Sequence, residues 1–140
     1  MSTPFRLVVP QLLLAEVVAQ ARQEQPNECC GLLAGVVDGG VGRVVVRYAL
    51  VNALASPTRF ESEPRGLFEA YRDMRRRDVE LLAVYHSHPT SPPLPSRIDL
   101  EQSCGPNVVN LIVSLTTEPP AVRGWWLTES DYGEAEWAAE

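Results

Sequence analysis

A chain of 140 residues with 45% hydrophobic and 21% charged side chains has the size and composition of one globular domain with a buried core. Its 12 prolines and 3 cysteines exclude wholesale disorder, a collagen-like repeat and a disulfide-dense scaffold. Eighteen acidic against 12 basic residues leave a formal charge of −6, which argues against an electrostatic grip on nucleic acid or an anionic membrane.

Taken in chain order, the first segment has neither a basic region nor an apolar run of the signal-peptide kind, and no apolar run approaches the ~20 residues of a membrane span. A soluble, cytoplasmic protein is expected. Over 10–25 the apolar residues Leu14, Val17, Val18 and Ala21 recur at the spacing of a core-facing helix, with Pro10 at its start. Residues 29–37 form an apolar run ending at Asp38-Gly39-Gly40, read as a buried strand and turn, and the Val-rich stretch 42–54 returns as its antiparallel partner.

Residues 55–64 read as loop. Leu67, Tyr71 and Met74 then mark the apolar stripe of a second helix, whose Arg75-Arg76-Arg77 run suits the negative end of the helix dipole. Residues 81–85 form a strand that runs into His86-Ser87-His88-Pro89. Prolines 89, 92, 93 and 95 stiffen the next loop, and Ser96 opens a short helix reaching about residue 104. Strands over 108–116 and 121–128 follow, joined through Glu118-Pro119-Pro120. Residues 131–140 read as a frayed helix or tail. Adjacent Trp125 and Trp126 alternate on a strand, so at most one is expected to face the core; Trp137 falls in the tail. The pattern predicts a single α/β domain over 1–140, a mixed, curved β-sheet flanked by helices.

The only two histidines stand two apart where a strand meets a loop, so both imidazoles share a face and can converge on one ion. Spacing alone allows a metal about as readily as two hydrogen-bonded surface histidines. Ser96 and Asp99 have their own structural explanation, a helix cap closely resembling a capping box, yet the same geometry fixes Asp99 near the histidines as a candidate oxygen ligand. Two imidazoles, one carboxylate and water in the fourth position make an open zinc site of the hydrolytic kind. Glu28, a carboxylate opening an apolar strand, is the candidate proton acceptor; a solvent-facing strand end is the plain alternative.

Together these residues resemble the JAMM, or MPN-plus, metalloprotease motif: an upstream glutamate, then His-Ser/Thr-His-Pro, six residues, Ser, two residues and Asp. Glu28, His86-Ser87-His88-Pro89, TSPPLP and Ser96-Arg97-Ile98-Asp99 match it in type and spacing. The segment ECCGLLAG is similar to the Glu-x-x-Gly-x-Leu segment of bacterial members. The resemblance implies the layered fold shared with cytidine deaminases and Zn2+ held by His86, His88 and Asp99. It further implies Glu28 as general base and then proton donor to the leaving amine, with Ser96 as oxyanion donor.

The implied activity is hydrolysis after the Gly-Gly tail of ubiquitin-like proteins, with small sulfur-carrier proteins as the expected partners and either a protein lysine or a free amino acid as leaving group. Oligomeric state is left open, a homodimer included. An extended tail would add to a sheet edge, with residues 44–46 or the strand before the motif as candidates. The competing class is a non-catalytic scaffold of the same family, which usually lacks one or more ligands; none is missing here. A nucleobase deaminase would need His-x-Glu and Pro-Cys-x-x-Cys, both absent. Cys29, Cys30 and Cys104 read as small packing residues, and a Cys-His protease would leave Asp99 unexplained. All 12 bases are arginine, a composition expected of codon bias and also of an enzyme that offers no lysine for isopeptide attachment.

Overall fold

The computed structural model describes residues 3–140. In chain order the elements are β1 (Arg6–Val9), α1 (Gln11–Gln23), β2 (Cys30–Asp38), β3 (Val41–Leu50), α2 (Pro64–Arg77), β4 (Glu80–His88), α3 (Arg97–Glu101), β5 (Val109–Ser114), β6 (Ala121–Leu127), β7 (Tyr132–Glu134) and β8 (Trp137–Ala139). The strands form one mixed sheet in the order β7-β6-β5-β4-β2-β3-β1-β8. This is the expected α/β class, with a mixed sheet flanked by helices. No helix among the described residues is long and apolar enough to cross a membrane.

Alternation along the strands divides the core in two. Leu33, Tyr85, Leu111 and Trp126 pack with Val17 and Ala21 of α1. Cys30, Leu32 and Val84 face the other way, toward Ala70 and Met74 of α2. Tyr71, expected on the buried stripe of α2, is 45% exposed, because Ala70 is the residue that meets the sheet. At the end of α2, Arg76 and Arg77 bind Asp73, three and four residues before them, so two of the three arginines of the run are paired at the helix end.

The C-terminal segment departs from the frayed helix or tail expected of it. Strand β7 pairs with β6, whereas β8 pairs in parallel with β1 at the opposite edge. Only Ala135 and Glu136 separate the two strands, so the edges of the sheet meet there and the sheet curls round on itself. Ala135 N–H donates to Gly124 O at 2.8 Å and Leu7 N–H to Glu136 O at 3.1 Å, one bond to each edge. Both faces are thereby covered along β6, which corrects the expectation for the tryptophans: Trp125 and Trp126 are 5% and 1% exposed on opposite faces. Trp137 packs on the α1-side core.

Closure also revises the candidate tail-binding edges. The strand before the motif, β4, is interior, hydrogen-bonded to β2 and β5. Residues 41–43 of β3 are covered by β1; beyond them Val44 and Val46 pair on the β2 side alone among the described residues, with Val45 a bulge between them.

Candidate metal and catalytic site

Central strand β4 delivers both histidines. Its residues alternate so that Val84, His86 and His88 face α2 and α3, while Ser87 points to the other face and accepts from Cys29 N–H at 2.8 Å. His86 is 2% and His88 4% exposed. The Ser96 side chain caps α3 by accepting from Asp99 N–H at 3.1 Å, and Asp99 Oδ2 accepts in return from Ser96 N–H at 2.9 Å. This reciprocal pair is a complete capping box. It also aims the Asp99 carboxylate: Oδ1 lies 3.1 Å from His86 Nε2 and Oδ2 lies 3.2 Å from His88 Nε2. The two Nε2 atoms are 3.1 Å apart.

The donor set fits a cation. His88 Nδ1 lies 2.8 Å from Pro92 O, and since a carbonyl only accepts, that nitrogen carries the proton and leaves the Nε2 lone pair facing inward. Ligands ~2.0–2.1 Å from a tetrahedral zinc stand roughly 3.3 Å from one another, close to the separations found here. Two imidazole nitrogens and a carboxylate, all buried and in mutual contact, form an electron-rich triangle that a divalent ion suits and a protein proton can satisfy only in part. Burial alone would weaken protonation of His88, but its bonds to Asp99 and Pro92 outweigh this and raise its pKa. Asp99 is pushed upward by burial, yet the two imidazoles hold it well below the usual carboxylate range.

Glu28 precedes β2. The antiparallel register pairs Cys30 with His86, and continued two residues it sets Glu28 opposite His88 on the same face. Glu28 is 5% exposed, which removes the solvent-facing alternative. Burial drives its carboxyl up to about 7, against an opposing pull from His88 and with a further push from Asp99. The structure thus brings all five candidate residues to one end of β4, with Ser96 reaching the cluster through Asp99.

A cleft of about 390 Å³ opens beside His86 and Asp99, walled by Leu50, Phe60, Leu67, Tyr71 and Val84. Cys30 lines it from the sheet, and burial pushes its thiol up to about 12 and that of Cys29 to about 11, so both stay protonated packing groups. Cys104, also expected to be packing, is instead exposed on the cleft wall.

Three contributors lie outside the motif. Phe60 stacks on His86, centroids 4.8 Å apart and planes at 27°, and Asn52 donates to Glu28 O at 3.0 Å. Phe60 falls in the stretch read as loop, and Asn52 at the end of the stretch read as strand, past the point where β3 stops at Leu50, so nothing in the local sequence marks either. Trp125 Nε1–H donates to Pro93 O at 2.9 Å, tying down the proline loop that holds His88.

Residues 10–128 match the family described as prokaryotic homologs of the JAB domain. A CysO-cysteine peptidase of Mycobacterium tuberculosis is 32% identical over 117 residues, covering 84% of this chain and 78% of that protein. A probable TtuB-protein conjugate cleaving protease of Thermus thermophilus is 40% identical over 98 residues, 69% of this chain and 63% of that protein. A desampylase of Pyrococcus furiosus is 30% identical over 125 residues, 89% and 84% of the two chains. Among solved structures, a protein from Desulfitobacterium hafniense superposes with a TM-score of 0.86 at 33% identity, covering 96% of this chain and 92% of that one. Another from Salinibacter ruber gives 0.67 at 26% identity, with 94% and 90% covered.

Proposed function

The chain belongs to the family of prokaryotic JAB-domain homologues, and from that premise we propose that it is a zinc-dependent peptidase or isopeptidase acting on the C-terminal tail of a ubiquitin-like or sulfur-carrier protein. The observation that carries this reading is the triangle of His86 Nε2, His88 Nε2 and an Asp99 carboxylate oxygen, buried beside Glu28. Relatives named for cleaving CysO-cysteine and TtuB conjugates support the substrate class. Three free cysteines suit a reducing compartment, and we place the protein in the cytoplasm.

In this reading His86, His88 and Asp99 hold Zn2+. The chemistry such an ion supplies is Lewis acidity, which acidifies water and polarises a carbonyl. Glu28, buried and with its carboxyl near neutrality, takes the proton of the attacking water and returns it to the leaving amine. Ser96 stabilises the oxyanion. Capping uses a lone pair of its Oγ, since it accepts from Asp99 N–H, and the hydroxyl proton stays free to donate.

The test is metal analysis of the purified protein together with hydrolysis of a Gly-Gly tail joined to a lysine Nε or to a free cysteine. Stoichiometric zinc, and cleavage that chelator abolishes and zinc restores, is the expected result. Folded protein that takes up no metal and cleaves neither substrate would return the chain to the scaffold class.

A further inference from the structure

Glu28 stands just before β2 and the histidines on β4, and one loop touches both. Residues 51–63 leave β3 and return to α2 as a narrow double strand: Asn52 bridges Ser62, Ala53 N–H donates to Glu61 O at 2.8 Å, and Glu63 N–H to Val51 O at 2.9 Å. Asn52, 7% exposed, holds this loop with its whole carboxamide. Its Oδ1 accepts from Leu54 N–H and Glu61 N–H, both at 3.1 Å, and its Nδ2 donates to Glu28 O and Arg59 O, both at 3.0 Å. Glu28 N–H donates to Ser56 O at 2.8 Å, so both main-chain polar groups of Glu28 end on the same loop.

The other end of the loop carries Phe60 onto the imidazole of His86. This contact matters because His86 Nδ1 is buried with no hydrogen-bond partner among the described residues. A ligating histidine ordinarily donates its second ring N–H to a carbonyl or carboxylate, which fixes the ring plane. His88 has that anchor in Pro92 O, and His86 has an aromatic face in its place. Asn52 sets the loop, and the loop sets both the carboxyl-bearing residue and the ring.

We propose that residues 51–63 are a positioning device, in which Phe60 orients His86 for the metal and Asn52 fixes Glu28 for proton transfer. This rests on the function proposed above, and the two fail in different ways. The metal arm titrates metal-free protein with zinc against a chromophoric chelator, a readout independent of turnover. Phe60→Leu keeps the cleft wall apolar but removes the ring, and it should weaken zinc binding about tenfold to a hundredfold, as removing the support of a ligand does elsewhere. Phe60→Tyr restores the stacked face and should bind zinc as the native protein does.

The proton arm uses Asn52→Asp, which keeps both acceptor positions but turns a carboxylate oxygen toward Glu28 O and Arg59 O in place of the two donors, with Asn52→Ala beside it and melting temperatures recorded for each. At saturating zinc the folded Asp variant should lose kcat by at least about tenfold at native KM, the scale of one misplaced catalytic group, and it should also bind zinc more weakly, because the lost donor to Arg59 O adjoins Phe60. Native zinc affinity in Phe60→Leu, or native kcat in folded Asn52→Asp, overturns the inference while leaving the hydrolase reading intact. Native protein that neither binds zinc nor cleaves overturns both.

Discussion

Gly31 lies directly beneath the ring of Tyr85, its partner across the β2–β4 ladder: a Cβ at position 31 would stand 2.1 Å from Tyr85 Cζ. The tyrosine is held there by its hydroxyl, which donates to Gln20, while Arg47 Nη1 donates to it at 3.1 Å. The same Gln20 reaches Cys30 O at 3.0 Å, so α1 is tied to the strand that follows Glu28. The glycine three residues after Glu28 is therefore a packing requirement. Gly31→Ala should destabilise the fold by about 2–3 kcal/mol, read from the denaturation midpoint, and Tyr85→Ala in the same chain should relieve part of that loss.

Metal retention separates ligands from base. His86→Ala, His88→Ala and Asp99→Ala should each lose stoichiometric zinc by elemental analysis. Glu28→Gln should keep it while hydrolysis falls by about 10²–10⁴-fold, the range for a lost general base. Zinc loss in Glu28→Gln would make that residue a ligand and contradict its assignment.

Ser96 combines a cap with a proposed catalytic donor, and two substitutions divide them. Ser96→Ala should cost about 1 kcal/mol of stability as a lost cap, whereas Ser96→Gly should cost only a few tenths. Both should lower kcat by about 10²–10³-fold, the cost of one oxyanion donor. A glycine variant as active as native would leave Ser96 with the cap alone.

Glu28 makes the stability of the metal-free protein depend on pH. Its carboxyl sits near 7 in the fold, chiefly through burial, against 4.5 for an exposed glutamate. The folded chain therefore holds that proton more tightly, and between those values unfolding releases it, so stability falls as pH rises from about 4.5 to about 7. Above that window the full cost of the buried carboxylate is carried. Measured without metal, the melting temperature of the native chain should lose ground to Glu28→Gln across this window and run parallel to it on either side.

Thiol chemistry checks the exclusion of a cysteine nucleophile. Brief alkylation of folded protein should label Cys104 and spare Cys29 and Cys30, which react only after denaturation, as peptide mass mapping will show.

Four of the five candidate residues were legible in the sequence because they are local, whereas Glu28 lies far upstream and its place depends on the β2–β4 pairing. His86 and His88 are two apart on a strand, and Ser96 and Asp99 are three apart across a helix start, so their relative directions follow from period and cap alone. The long elements were legible for a similar reason, with β2 and α1 each falling within a few residues of expectation. What stayed hidden depends on distant partners. Strand β1 has four residues and β7 and β8 three each, too short for a period to show, and β8 owes its conformation to Leu7, Val8 and Val9 at the far end of the chain. Asn52 and Phe60 likewise act through Glu28 and His86, contacts that no window around residues 51–63 contains.

The seam at Ala135 and Glu136 also orders events during synthesis. Emerging from the ribosome, β1 and β3 are available early, but β1 keeps a bare row of amides and carbonyls until residues 137–139 arrive to pair with it. Such an unpaired border invites the wrong neighbour, and joining segments some 130 residues apart is slow in proportion to the chain that must be gathered. The nascent protein is most vulnerable to association in that interval, and a holdase chaperone would matter most before the last two strands have joined both borders.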